Sequence, residues 1–336
     1  MIGGGAARSE AGRAPGGGSR QACDRVVALD VGGTVLKGAL VGRDGTVALR
    51  RRRPTGRGAG PDAVVSCIVD FAGELAELCH RELGRPPLGA AVVVPGVVDE
   101  QAGSAVFAAN LGWRDAPLRS LLEDRLRLPA ALGHDVRAGA LAEGLMGAAR
   151  GARDYLFIPI GTGIGGAAVL HGLRYEGAHA LAMEIGHVVI DPQGPPCGCG
   201  ARGCVEMFAS ARAVSDRYRE ASGETVDAQV VVERANRGDA LAASTWRTAV
   251  EALATGLAIC TTLFDPALVV LGGGLANSGR LLEPLRRSLA ERLTFQHPPE
   301  LTSAALGDEA GCMGAALLAW LRLGVPEDTL HWGGAG

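Results

Sequence analysis

The stretch V-V-A-L-D-V-G-G-T, Val26 to Thr34, decides how the chain is read. Val26 to Asp30 is an apolar run with the length and β-branched content of a buried strand. It breaks at Gly32-Gly33-Thr34, where residues without side chains permit a tight turn. Two more β-like runs follow, Val35 to Val41 and Thr46 to Arg50, so the opening is strand, turn, strand. A second round starts at Leu128. It gives a short strand to His134-Asp135, a helix through Ala149, the strand Tyr155 to Ile160, the turn G-T-G-I-G-G (Gly161 to Gly166) and the apolar run Ala167 to Leu170. The strand and glycine turn therefore appear twice.

Working outward, Asp62 to Cys79 carries apolar residues at 64, 65, 68, 71, 75 and 78, the spacing of a core-facing helix, and Ala90 to Pro95 reads as a buried strand. Helices are expected around Phe208 to Glu220, Asp227 to Asn236, Ala240 to Phe264 and Glu309 to Leu323, with a strand Leu268 to Leu271 ending in Gly272-Gly273-Gly274. Alternating strands and helices imply an α/β sheet, and a length of 336 residues with 47% apolar content suggests two domains. Gly161, Gly163 and Gly166 satisfy G-x-G-x-x-G, with Glu184 near the offset of a ribose-binding acid. The next segment of chain, however, is a short strand stopped by Gly172, where a dinucleotide fold requires a long helix. A glycine hairpin can still offer successive backbone N–H groups to an anion, and two such turns across a cleft would grip a polyphosphate chain from both sides. Taken singly, each is more commonly a plain hairpin.

Cys197, Cys199 and Cys204 stand in C-G-C-G-A-R-G-C-V-E, the first of them ten positions after His187 of E-I-G-H (Glu184 to His187). Thiolate and imidazole are ligands that Zn²⁺ prefers, and four is its usual structural number, so His187, Cys197, Cys199 and Cys204 form a complete set. A closed Cys₃His site has no open position for substrate, which makes the metal structural; it fixes the loop that carries Glu184, His187 and Glu206. Disulfide pairing or idle burial is the weaker alternative, given the tight Cys-x-Cys spacing.

The other five of eight cysteines (Cys23, Cys67, Cys79, Cys260, Cys312) are scattered, which indicates no disulfide framework and a reducing compartment. The first 22 residues hold no apolar leader core, and no segment gives 18 uninterrupted apolar residues, so a cytoplasmic protein without membrane association is expected. A net charge of −3 gives no global reason to bind nucleic acid.

In their order along the chain, D-V-G-G-T (Asp30 to Thr34), N-L-G-W (Asn110 to Trp113), the Asp135 region, G-T-G-I-G-G, E-I-G-H, the cysteine string and V-V-L-G-G-G (Val269 to Gly274) resemble the ROK family of sugar kinases and sugar-responsive repressors, within the actin-like ATPase superfamily. The resemblance runs from about Val26 to Trp320. It implies an α/β fold of two actin-like (ribonuclease H-like) lobes with a cleft between them and a structural zinc loop. Segment 1–23 is expected to be disordered, 24–134 with 309–323 to form the N-terminal lobe, 135–308 the C-terminal lobe, and 324–336 a tail. A homodimer or homotetramer is also implied, with the helix Ala240 to Phe264 as interface or core.

The implied activity is ATP-dependent transfer of the γ-phosphate to a hexose hydroxyl, first of all glucose to glucose 6-phosphate, using ATP or polyphosphate, Mg²⁺ and structural Zn²⁺. Asp135, where a strand passes into a helix, would be the base, although by position alone a helix N-cap is its commoner role. Asn110, His134, Asp135, Glu184, His187 and Glu206 match sugar-holding positions, where directional amides and carboxylates suit a polyol. His187 would bind zinc through one ring nitrogen and sugar through the other. Asp30 would approach Mg²⁺ through water, with Gly32, Gly33 and Thr34 near the phosphates, Gly161, Thr162 and Gly163 as the second clamp, and Gly273 and Gly274 near the adenosine. Lys37, the single lysine, would either touch phosphate or, as is usual for a lysine on an exposed strand, do nothing specific, and is assigned no role.

The pattern has departures. His134 stands where asparagine usually precedes the catalytic aspartate, which leaves the sugar open; Met183 stands where glycine commonly precedes the E-I-G-H glutamate, and Val35 where lysine often follows the first turn. The other reading is a sugar-sensing regulator without catalysis. Family repressors carry an N-terminal winged helix-turn-helix, and the roughly 25 residues before the first strand are too few and too Gly-rich for one. Asp135 and D-V-G-G-T favour the enzyme. N-acetylmannosamine, fructose, allose and mannose stand as alternative acceptors.

Overall fold

The computed structural model describes residues 24–330 and 332; segment 1–23, expected to be disordered, lies outside them, as does part of the 324–336 tail. Strands β1 (Arg25–Val31), β2 (Val35–Gly42) and β3 (Val47–Pro54) form an antiparallel meander in which Asp30 faces Lys37 and Lys37 faces Arg52. β3 runs past the expected end at Arg50 because its arginines find acids on both faces. Arg50 and Arg52 meet Glu309 and Asp308, while Arg53 meets Glu74 and lies over the Phe71 ring.

Helix α1 (Pro61–Leu83) leads to β4 (Gly89–Val94), parallel to β1. Strands β5 (Val97–Asp99), β6 (Ser104–Phe107) and β7 (Arg114–Ala116) make a small separate sheet, each too short for its alternation to show in the sequence. Helix α2 (Leu118–Leu126) and β8 (Ala130–His134), parallel to β4, complete the first sheet in the order β3-β2-β1-β4-β8. Helix α3 (Asp135–Met146) then enters the second half, with β9 (Tyr155–Pro159), β10 (Ala167–Leu170) and β11 (Leu173–Tyr175) as another antiparallel meander. Helices α4 (Glu206–Ala209), α5 (Ala211–Ser222), α6 (Ala228–Asn236) and α7 (Ala240–Phe264) precede β12 (Leu268–Gly272), α8 (Gly273–Ala276), α9 (Leu282–Ala290), β13 (Glu300–Ser303) and α10 (Ala310–Arg322). The second sheet has the order β11-β10-β9-β12-β13, which repeats the first: three antiparallel strands, then two parallel ones.

Two helix boundaries differ from expectation. The helix expected over Phe208 to Glu220 is two, because Ser210 adopts an extended conformation and its hydroxyl accepts from Ala213 N (3.1 Å), capping α5. α3 stops at Met146, short of Ala149, where the Glu143 carboxylate accepts from Ala148 N (2.7 Å) and turns the chain.

β1 and β4 are covered on both faces, as their nearly continuous apolar sequences require. Val27, Leu29 and Val92 share a core with Ile68, Phe71 and Leu75 of α1, whereas Val26, Ala28 and Val93 pack with Ala315, Ala316 and Ala319 of α10. Each large apolar side chain so buried stabilises by about 1.5–3 kcal/mol. α3 faces two ways, with Leu141 and Ala142 in the first core and Ala140 beside Tyr155 and Phe157 in the second. α3 and the adjacent α10 thus join the two halves. Leu253, Ala254 and Leu257 place much of α7 in the second core, while Leu241 and Leu263 are exposed. Of the expected tail, Leu330 and Trp332 are buried in the first core, and the Trp332 indole donates to Arg43 O (2.7 Å).

Candidate active site

The two glycine turns are built differently. In the first, Gly32 N donates to Val35 O (3.0 Å). Buried Thr55 fastens it: its hydroxyl donates to Gly32 O (2.7 Å) and its N–H to Thr34 O (2.9 Å). In the second, Gly161 N donates to Gly163 O (2.9 Å), Ala211 N at the start of α5 donates to Gly161 O (2.9 Å), and Ile164 N donates to Glu206 Oε2 (2.8 Å). Thr162, exposed, is the tip of this turn. Gly273 has φ +83°, and a Cβ there would lie 2.2 Å from Ile160 O, so glycine is required for the β12–α8 turn to rest against the end of β9. Gly274 lies beside the Gln229 amide of α6.

Asp30 near the end of β1 and Asp135 at the start of α3 come together between these turns. Asp30 lies against Gly311 in the first turn of α10, and Val136 packs on Gly165 of the second glycine turn. Burial raises the Asp30 carboxyl to about 6 against the pull of the Lys37 ammonium (3.4 Å), and the nearby Asp135 charge adds to the rise. Burial likewise raises Asp135 to about 6, opposed by the hydrogen bond from Val136 N (2.7 Å) and then by Arg137. The Asp135 side chain is 29% exposed, so this enclosed carboxylate still opens to the cleft.

The α3 N-cap is His134 and not Asp135: His134 Nδ1 accepts from Arg137 N (3.4 Å). With Nδ1 accepting, the ring hydrogen belongs on Nε2, which stands 3.6 Å from Asp135 Oδ1. Burial, then the Arg137 cation, push the His134 pKa down to about 4, against the carboxylates of Glu184 and Glu100. The imidazole is therefore a neutral donor at physiological pH.

Arg137 is a site residue absent from the sequence-based expectations. Buried on α3, it donates to Glu100 Oε1 (3.0 Å from Nε), to Ala180 O (3.1 Å) and to Val98 O (3.4 Å), while Glu100 also accepts from His134 N (3.2 Å). One guanidinium thus ties the start of α3 to the small sheet and to the loop before Glu184. An arginine within an otherwise apolar helical run was the available signal. No comparable signal marks Glu100 or Thr55.

On the open side, Asn110 is exposed, with Leu111 and Trp113 buried behind it, and its amide lies beside Gly33 of the first turn. Glu184 and His187 are also exposed, and Glu184 is close enough to His134 to act on its pKa. Glu206 reaches the second turn through its bond from Ile164 N. Met183 is buried at φ +70°, a conformation that costs an L-residue about 1–2 kcal/mol, and this is why glycine suits that position.

His187, Cys197, Cys199 and Cys204 place one ligand atom each within 4.8 Å of one another. Tetrahedral Zn²⁺ with ordinary bond lengths sets sulfur–sulfur edges of about 3.8 Å and nitrogen–sulfur edges of about 3.5 Å. Cys199 and Cys204 sulfurs are 3.7 Å apart, and Cys197 Sγ is 3.6 Å from His187 Nδ1, so the donor set fits the ion. Nδ1 is then the metal-facing nitrogen, and Nε2 is left for another partner. Gly203 at φ +69° passes so close to Asp191 O that any Cβ would collide, which holds the loop in this one shape.

The family's sequence pattern, described as "ROK family", matches residues 26–321. The chain belongs to the ROK family. A glucokinase of Thermotoga maritima is 31% identical over 318 residues, covering 89% of this chain and 98% of the relative. The N-acetylmannosamine kinase of Citrobacter koseri is 34% identical over 294 residues, covering 87% and 98%. Among solved structures, a ROK family glucokinase from Streptomyces griseus in complex with glucose and AMPPNP is 28% identical with a TM-score of 0.77, over 88% of this chain and 99% of that one.

Proposed function

We propose that this chain is an ATP-dependent hexose kinase that transfers the γ-phosphate of ATP to a sugar hydroxyl, with the 6-hydroxyl of glucose as the first acceptor to consider. The observation that carries the reading is the enclosed carboxylate of Asp135, open to the cleft and set between two glycine turns. Its chemistry is that of a base near a hydroxyl, with backbone N–H groups to hold phosphate on either side. Asn110 beside Gly33 would keep the sugar next to the first turn. His134 Nε2–H, Glu184 and His187 Nε2 add directional partners for its hydroxyls, and Glu206 stiffens the second turn from the sugar side.

On the donor side, Gly32, Gly33 and Thr34 face Gly161, Thr162 and Gly163 across the phosphates, with Gly273 and Gly274 toward the adenosine. Lys37 holds one oxygen of Asp30, which leaves the other, a hard oxygen donor, to accept from a magnesium-bound water. When bound, Mg²⁺ neutralises phosphate charge that builds up in transfer. Zinc bound by His187 and the three cysteines would fix the ring whose Nε2 meets the sugar. The lobes would divide at 134/135 and near 309, with α3 and α10 as the hinge region.

No helix among the described residues is long and apolar enough to cross a membrane. The scattered cysteines support a reducing, cytoplasmic setting. Exposed Leu173, Tyr175, Leu263 and Phe295 offer apolar surface for a homodimer or homotetramer. A regulator that only senses sugar needs neither Asp135 nor paired phosphate turns. The test is ADP release with Mg-ATP against glucose, mannose, fructose, allose, N-acetylglucosamine and N-acetylmannosamine, repeated with polyphosphate as donor. Rapid turnover with one sugar is expected. Sugar binding by calorimetry with no turnover on either donor would establish the sensor instead.

A further inference from the structure

The chain contains one lysine against 32 arginines. That lysine, Lys37, is not on an idle exposed strand: its side chain is 22% exposed and lies opposite Asp30 in the first sheet. A single nitrogen makes three contacts there. Nζ is 3.4 Å from Asp30 Oδ2, donates to Asp308 O at 2.9 Å, and is 3.1 Å from Asp308 Oδ1. An ammonium is compact and its three donors splay from one atom, whereas a guanidinium spreads its donors along a planar fork. This tripod of acceptors suits the first and not the second. Asp308 also meets Arg52 (3.3 Å), the cross-strand neighbour of Lys37, and Arg50 meets Glu309 (3.0 Å), so arginine serves at the exposed contacts around it.

Asp308 lies in the segment that returns from β13 to α10, that is, from one half of the molecule to the other. We infer that Lys37 is a positioning residue for phosphoryl transfer: it aims the Asp30 carboxylate at the phosphate donor and fixes that carboxylate to the segment through which the second half is connected. The inference rests on the kinase reading for the role of Asp30. All three ammonium donors are engaged by protein, so Lys37 acts through Asp30 and the 308 backbone and not by gripping phosphate itself.

The test compares wild type with Lys37→Arg and Lys37→Met, reading AMPPNP affinity and sugar affinity by calorimetry and kcat and KM for Mg-ATP. Both variants are expected to keep wild-type sugar affinity, to bind AMPPNP more weakly, and to lose about 100-fold in kcat/KM for ATP, as a small misplacement of a reacting group does. Arginine should not rescue. A Lys37→Arg enzyme with wild-type constants overturns the inference, and so do variants whose melting temperature falls while AMPPNP affinity and kinetics stay unchanged. Should both variants misfold, acetic anhydride applied to the wild-type protein decides, because Lys37 is the sole side-chain amine. Turnover is expected to fall in step with one acetyl group on Lys37, and AMPPNP to slow its addition; full acetylation of Lys37 with full activity overturns the inference. Failure of the kinase reading is separate: wild type then turns over no sugar, while the AMPPNP affinities still compare the variants.

Discussion

At the residue scale, Asp135 carries opposing demands. A carboxyl with a pKa near 6 is ionised at neutral pH, and below about 6 it takes up a proton. kcat should therefore be level above that value and fall beneath it by roughly tenfold per pH unit for each carboxylate that must be ionised; Asp30, which burial also holds near 6, shares that limb, and His134, neutral down to about 4, does not. The same shift has a stability sign. In the unfolded chain an aspartate titrates near 3.9, so the folded chain binds this proton more tightly, and enclosing the ionised group opposes folding above about 6; that opposition fades as pH falls from about 6 to about 4. Asp135→Asn should then unfold at equal or higher urea concentration than wild type at pH 7, while kcat drops by about 10²–10⁴-fold and sugar affinity is largely kept. Lower urea resistance in the variant at pH 7 would show that the carboxylate is not held against its burial cost. His134→Asn exchanges a fixed donor for an amide that both donates and accepts, and should alter the ratio of kcat/KM among sugars with little change in KM for ATP.

At the element scale, two connections decide how the site is held. Glu143 at the end of α3, fully buried, accepts from Ala148 N (2.7 Å), Ala305 N (3.1 Å) and Leu306 N (2.9 Å), so one carboxylate joins the chain leaving α3 to the chain approaching α10. Glu143→Ala strands three donors at 1–3 kcal/mol or so apiece and should cost roughly 3 kcal/mol or more in urea unfolding; a loss within 0.5 kcal/mol or so would show that water replaces the side chain freely. The zinc loop is the other connection. Cys199→Ala should release the metal, read by elemental analysis, and raise the sugar KM by about tenfold or more through His187, with the KM for ATP changed much less. Elements with an unbroken apolar run or a long apolar periodicity were legible in the sequence: β10, A-A-V-L throughout, and α7 begin and end where their patterns do. β5 to β7 and β13 were not, because three or four residues cannot show an alternation and their pairing is with distant strands. In the site, glycine turns and clustered cysteines announce themselves locally. Thr55, Glu100, Glu143 and Lys37 do not, since each has a partner 23 to 271 positions away in the chain.

At the scale of the whole molecule, a repeated five-stranded sheet, joined through α3 and α10, sets one glycine turn on each half and leaves Asp135 between them. Water in that cleft would compete with the sugar for the γ-phosphate. Closure over both substrates would exclude it, so glucose with AMPPNP should reduce the radius of gyration in X-ray scattering more than either alone. An unchanged radius with both bound would mean that the halves do not move. The measurement that bears most directly on the chain's chemistry is phosphorus NMR of wild type and Asp135→Asn incubated with Mg-ATP and glucose. Wild type is expected to convert the γ-phosphate signal into that of a sugar phosphate ester on O6, and the variant to leave ATP intact for the same period. An ester formed equally fast by Asp135→Asn, or none formed by a wild-type protein that binds both ligands, would contradict a sugar kinase with Asp135 as its base.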